Sequence, residues 1–405
     1  MICVMSSRSL PRNRPSKETR NSPKVSTDIK AVLAQTPCDI QIDIEARGDR
    51  YTVTVADAHG ARARCNSDGT KFDFQNLAKN AMELAPLFLN NPSKHISEFS
   101  SLCYRIYVSL FSSQNTRDIV SQAFKKSEKH PSKIIIHSME LSLPWNLLFI
   151  EDPVELERDS LATYFLGQNC IISANILDPE TGASYPHPKI NKKADILGGF
   201  CDSLPFASQL EIPSLRRHAT SRRSPSVAKY RPLPKYNRLP DSGSEIDKKI
   251  RNKLFRSKVN FIHLACHGSA NEHSHDSFIT VRNRYPIKFS TFCPTKYYFS
   301  DNPIVFLNAC EMSFQNPMSV FSLSGELIKR NARTVLAPFC KVSDYSSARF
   351  SKYFYASLFH RNQNVAEAAF YARKKLLLNA NTKAKHDFTG FAYILVGQHN
   401  AHLSY

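Results

Sequence analysis

Phe261-Ile262-His263-Leu264-Ala265-Cys266-His267-Gly268 and Ile304-Val305-Phe306-Leu307-Asn308-Ala309-Cys310-Glu311 decide the reading of this chain. Each is an apolar run of strand length that ends on a reactive side chain, a His-Gly pair in the first and a Cys in the second. Loops leaving the carboxyl ends of neighbouring parallel strands converge on one crevice, so His267 and Cys310 can meet there although 43 positions separate them. That is the arrangement of a cysteine nucleophile with its histidine base.

Around these blocks the second half of the chain alternates strand and helix patterns, which predicts a parallel α/β sheet. Strands are expected at 194–200, 259–265, 304–309 and 334–339, with a smaller edge piece at 279–281 and a closing strand at 391–396. Helical spacing covers 320–331, 345–360 and 366–379. Earlier in the chain, 39–44 and 51–55 alternate strictly across a polar turn, as a hairpin does. From 74 to 111 the spacing turns helical, with Pro86 and Pro92 expected to break it. Ile134–Ile136 reads as a buried strand, followed by a Leu143-Pro144-Trp145 turn with Trp145 as a core anchor.

A length of 405 residues exceeds what one core supports, so one domain with an extension, or two fused domains, is expected. No apolar run approaches the ~20 residues that span a bilayer. The amino end is interrupted by Ser, Arg and Pro before an apolar signal core forms. Ten scattered cysteines without a Cys-x-x-Cys pair suit a reducing, cytoplasmic setting and argue against a zinc ribbon. Much of the net charge of +19 lies in two segments: residues 1–30 hold seven Lys/Arg against two acids, and residues 211–258 hold fourteen against four. Residues 1–35 read as a disordered basic tail, and 216–244, rich in Pro and Ser, as a flexible basic insertion. Such charge is compatible with nucleic acid without requiring it, and no nucleic-acid motif accompanies it.

Together the two blocks resemble the CHAT family of caspase-like peptidases, within the group that holds caspases and separases. HLACHG at 263–268 matches the family's strand with His-Gly, and VFLNACE at 305–311 its strand with Ala-Cys. SLPWNLL at 142–148, ILGGFCDSLPFASQLEIPSL at 196–215, RTVLAPFCKVSD at 333–344 and GFAYILVG at 390–397 follow in the family's order. The resemblance implies a caspase-like α/β fold, a mainly parallel sheet flanked by helices. A degenerate front half at 36–180 would pack on a catalytic half at 190–405. Where the family usually carries an acid after the Trp, this chain has Asn146.

The chemistry implied is peptide cleavage, with Cys310 attacking as thiolate and His267 moving the proton. The backbone N–H groups of Gly268 and Cys310 would form the oxyanion hole. Asn308, two residues before the nucleophile on the same strand face, is expected to help position it. Asn308, Asp276, Asp344 and Phe339 are the residues placed to border a substrate pocket. An acidic wall would favour a basic residue before the cut, and an apolar floor at Phe339 would favour Leu or Met. Aspartate preference of the caspase type needs an Arg, and these segments supply only Lys341. Of His263, His267, His273 and His275, the first belongs to a strand pattern and the last two to a polar loop whose one carboxylate is Asp276. No metal and no cofactor is therefore expected. The function expected is limited cleavage of a protein partner. By the resemblance, such cuts activate effectors, gasdermin-like proteins among them, in defence or cell death, with a separate sensor or activator protein. A catalytically silent scaffold and a nucleic-acid-associated regulator are the alternatives.

Overall fold

Ile40, Ile42 and Ile44 alternate with Gln41, Asp43 and Glu45, so strand β1 (Ile40–Arg47) buries one face and leaves the other polar. It turns through Gly48, whose φ of 60° is open to glycine, into antiparallel β2 (Arg50–Asp57), which pairs in turn with β3 (Arg62–Asn66). The computed structural model describes residues 38–126, 130–138, 141, 143–176, 194–201, 203–220, 227–233, 243–269, 278–281, 285–288, 298–309, 323–378, 386–398, 400, 401 and 403. The amino-terminal tail, Asp276 and Cys310 lie outside them.

Three helices follow the hairpin: α1 (Lys71–Asn90), α2 (Pro92–Leu110) and α3 (Gln114–Lys126). A reciprocal capping box between Thr70 and Asp73 starts α1. The expected break at Pro86 does not occur. Phe74, Ala78, Ala81, Ala85 and Phe88 form one continuous buried stripe that crosses it, so packing outweighs the N–H that proline lacks. Pro92 begins α2, a position where no N–H is needed.

The strands β4 (Ser132–Ser138), β5 (Cys170–Ile176), β6 (Ala194–Phe200), β7 (Val227–Pro232), β8 (Phe261–Ser269), β9 (Phe278–Val281), β10 (Tyr285–Lys288), β11 (Ile304–Ala309), β12 (Thr334–Pro338) and β13 (Tyr393–Gly397) complete one sheet. Its order is β10-β9-β8-β11-β12-β13-β5-β4-β1-β2-β3, with β6 on the same edge of β8 as β9 and β7 beyond β6. Seven of the twelve pairings among the described residues are parallel, so the fold is α/β with a mainly parallel sheet flanked by helices.

Both faces of the carboxy-terminal strands are covered, as a parallel sheet requires. Phe261, Phe306 and Leu336 pack under α7 (Asp344–Tyr355) and α8 (Val365–Leu378). Ile262, Leu264, Val305, Leu307 and Val335 face the other way, into a core shared with α5 (Gly243–Phe255) and α6 (Leu323–Lys329). That core also takes Phe88, Phe99 and Phe165 from the front of the chain, and the Phe88 ring lies 4.8 Å from Phe388. The front and back segments of the sheet meet at β5 and β13 through one registered pair, Val396 with Ala174. Buried Arg373 of α8 ties the seam by donating to the Cys170 carbonyl at 3.0 Å.

Gly390 lies against this tie, and a Cβ added there would stand 2.8 Å from the Arg373 Cα. Backbone cannot give way as a side-chain tip can, so Gly390→Ala is expected to cost about 1–3 kcal/mol. A urea midpoint that falls with unchanged slope would confirm it; a wild-type midpoint would refute it.

The structure differs from the sequence pattern in two further places. First, β3, α3 and β5 have no clear counterpart in the pattern, because their runs are short or rich in Arg, Ser and Asn. Second, the basic segment contributes structure. Residues 216–220 belong to α4 (Ile212–Thr220), and β7 pairs along β6 as a sheet strand. Tyr230 and Leu233 supply what composition hid: Leu233 is buried, and the Arg216 guanidinium lies 4.9 Å from the Tyr230 ring centre.

Candidate active site

β8 and β11 are hydrogen-bonded neighbours, parallel and in register from Phe261 with Ile304 to Cys266 with Ala309. They are adjacent in the sheet although β9 and β10 separate them in sequence. On β8, Phe261, His263, Ala265 and His267 share the face toward α7, while Ile262, Leu264 and Cys266 point into the opposite core. Cys266 is accordingly buried, and His267 is exposed at the carboxyl end of the strand.

His267 stands where β8 changes partners. β6 accompanies β8 up to Phe200 with Ala265, and β9 takes over at His267 with Thr280. The chain leaving β6 therefore turns across the strand end. Cys201 N donates to Ala265 O at 2.8 Å, and Leu204 N to Cys201 O at 3.1 Å. This turn brings Ser203 Oγ to 3.0 Å from His267 Nε2 and 3.0 Å from the buried Cys201 Sγ. Asp344, the first residue of α7, accepts from Phe206 N at 2.9 Å and so fastens the far end of the turn. Burial raises the Asp344 carboxyl above its ordinary range; the Phe206 and Ala207 N–H groups and nearby His267 pull the other way. Phe206 and Tyr345 are both exposed and pack edge to face at 5.1 Å, forming an aromatic rim beside the turn.

Beneath this surface lies a fully buried carboxylate. Glu211 ends a wide, π-helical turn at Ala207–Glu211 and is 0% exposed. Asn308 Nδ2 donates to it at 2.8 and 2.9 Å, and Ser351 Oγ of α7 donates at 2.7 Å. His263 Nε2 stands 2.9 Å from Glu211 Oε1, off the line of a hydrogen bond but within ion-pair distance. Asn308 Oδ1 accepts from Tyr393 Oη at 2.5 Å, and the Tyr393 carbonyl accepts from Asn146 Nδ2 at 2.6 Å. One polar path thus joins Asn146 in the front segment to β13, β11, Glu211 and β8. Such a network is costly half-made and rigid when complete.

The structure therefore brings His267, Ser203 and Asp344 together at the strand ends. Asn308 is buried, with its amide committed to Glu211 and Tyr393, and Phe339 is 0% exposed inside the core. Both side chains are packed. Trp145 is buried beside Asn146. Ser203 and Glu211 carried no role in the sequence reading. A lone acid between Leu210 and Ile212 was the available signal for Glu211, whereas Ser203 had none. Among the described residues no three His, Cys, Asp or Glu side chains gather in a metal-holding group.

The family model described as CHAT domain matches residues 195–405. Comparison with curated proteins returns no match. Among solved structures, the chain is similar to two crystal structures of the Saccharomyces cerevisiae separase–securin complex, at 3.0 and 2.6 Å resolution. Each shares 10% identity at a TM-score of 0.46, over 88% of this chain and 30% of the matched one. The chain thus spans under a third of the length of the chains it matches. Because the family model covers more than half of the 405 residues, including both strand blocks, the chain belongs to the CHAT domain family.

Proposed function

We propose that this chain is a cysteine endopeptidase in which Cys310 is the nucleophile and His267 its base. The observation that supports this reading is the register of β8 and β11. It ends at Cys266 with Ala309, and in sequence His267 follows the first and Cys310 the second. In-register residues on paired strands lie about 5 Å apart, within reach of a thiol and an imidazole. The exposed His267 stands at the carboxyl end of β8, on the face that alternation gives to Phe261, His263 and Ala265.

The reaction follows from these roles. Thiol proton passes from Cys310 to His267 as sulfur bonds to the peptide carbonyl carbon, and the carbonyl electron pair moves onto oxygen. The N–H groups of Gly268 and Cys310 hold that oxyanion; one such donor is worth on the order of 3 kcal/mol. Collapse breaks the C–N bond as the imidazolium protonates the leaving amine, and water then releases the thioester by the same proton path. Asp276 and Asp344 are assigned to an acidic side of the substrate site, which favours a basic residue before the cut. The substrate is a protein partner cut at few sites in the cytoplasm, on signal from a separate sensor. A gasdermin-like effector of cell death or antiviral defence is the type of target that family membership suggests. No helix among the described residues is long and apolar enough to cross a membrane.

Digestion of a proteome-derived peptide library, read by mass spectrometry, tests the activity. Cuts that share a recognisable residue before the scissile bond, and vanish with Cys310→Ala, are expected; identical cleavage patterns from both proteins would refute it. Gly268→Val is expected to slow the same reaction by ~10²-fold or more, since a side chain crowds the oxyanion site without touching a titrating group. Full turnover by a folded Gly268→Val protein would remove Gly268 from this role.

A further inference from the structure

We infer that Ser203 is the positioning residue of the His267 base, an inference that rests on the dyad reading above. A histidine that takes a proton from a nucleophile needs one ring nitrogen free, and the hydrogen bond made by the other decides which. His267 Nε2 has such a partner, the Ser203 hydroxyl at 3.0 Å. The same hydroxyl is 3.0 Å from the buried Cys201 Sγ, a contact in which either atom can donate. In the inferred arrangement the serine proton goes to sulfur, so that Ser203 Oγ accepts from Nε2–H. Nδ1 is then the unprotonated nitrogen that receives the Cys310 proton, and Nε2–H stays on Ser203 while the imidazolium exists.

The backbone around Ser203 is built to hold this contact. Cys201 N is bonded to Ala265 O, so the turn begins on the same strand that carries His267. Phe206 N is bonded to Asp344, so the turn ends on α7. Ser203 lies between two anchors three residues or fewer away, one on the histidine's own strand and one on the helix beneath the crevice. A surface serine tethered this way contributes little to stability. Its effect falls on the orientation and tautomer of the ring it faces, which is how an orienting group acts in a catalytic triad.

Two measurements that need no substrate test this in the full chain. The first is the rate at which iodoacetamide alkylates Cys310 at pH 7.5, followed by mass spectrometry of the peptide that contains it. His267→Ala should slow alkylation strongly. Ser203→Ala should slow it roughly three- to tenfold, the factor that one neutral hydrogen bond contributes to an equilibrium. Ser203→Thr, which keeps the hydroxyl, should restore the rate to within about twofold. The second is the nitrogen NMR signature of His267 in Cys310→Ala protein, taken above the ordinary imidazole titration range. It should show Nε2–H as the protonated nitrogen, with a mixture of tautomers once Ser203→Ala is added. Wild-type alkylation by Ser203→Ala beside slow His267→Ala, or a dominant Nδ1–H tautomer, overturns the role of Ser203 and leaves the dyad standing. Fast alkylation of His267→Ala overturns the dyad itself.

Discussion

Cys310→Ala is expected to abolish cleavage, and His267→Ala to lower it by ~10²–10⁴ in rate, the contribution typical of a general base. The losses are expected to be non-additive, because nucleophile and base act as one unit. Both proteins should fold normally. His267 is exposed at a strand end, so its side chain adds nothing to the core, and thermal melts should overlay the wild type. Turnover near the wild-type rate by either variant would remove that residue from the reaction.

The second large effect is on stability. Glu211→Ala withdraws the acceptor for Asn308 Nδ2 and Ser351 Oγ and the neighbour of buried His263. Removing one member of a buried charged group costs about 3–5 kcal/mol, since the partners are left buried and unpaired. Domains are stable by only about 5–15 kcal/mol, so a large share of the protein is expected to lose its folded state near 37 °C. Glu211→Gln keeps one carbonyl acceptor but turns an N–H₂ toward the Asn308 amide, and should fall between alanine and wild type. Urea unfolding measures both. A Glu211→Ala midpoint equal to wild type would mean that the network contributes nothing.

The carboxy-terminal strands were legible because their apolar runs are long, uninterrupted and spaced by helical patterns, and the structure has β6, β8, β11, β12 and β13 where those runs lie. The hairpin of β1 and β2 was legible from strict alternation. Other elements depend on context that one-dimensional pattern does not carry. Pro86 sits inside a helix because its neighbours share one buried stripe, and β7 is a strand because Tyr230 and Leu233 find partners far away in sequence. At the candidate site the adjacency of β8 and β11 followed from two motifs read together. Ser203 and Glu211 did not follow, because their importance lies in pairs separated by 64 residues for Ser203–His267 and 97 for Glu211–Asn308. Asn308 and Phe339 were assigned to a pocket by nearness to strand ends, and both side chains are buried.

The proposed dyad makes Cys310 a nucleophile activated by His267. A peptide acyloxymethyl ketone library, which alkylates a catalytic thiol after recognition of the peptide, tests it most directly when the labelled residue is mapped by mass spectrometry. The dyad predicts label on Cys310 alone, competed by peptide substrate and lost in His267→Ala. Label spread over other cysteines, or undiminished on Cys310 in His267→Ala, would contradict it.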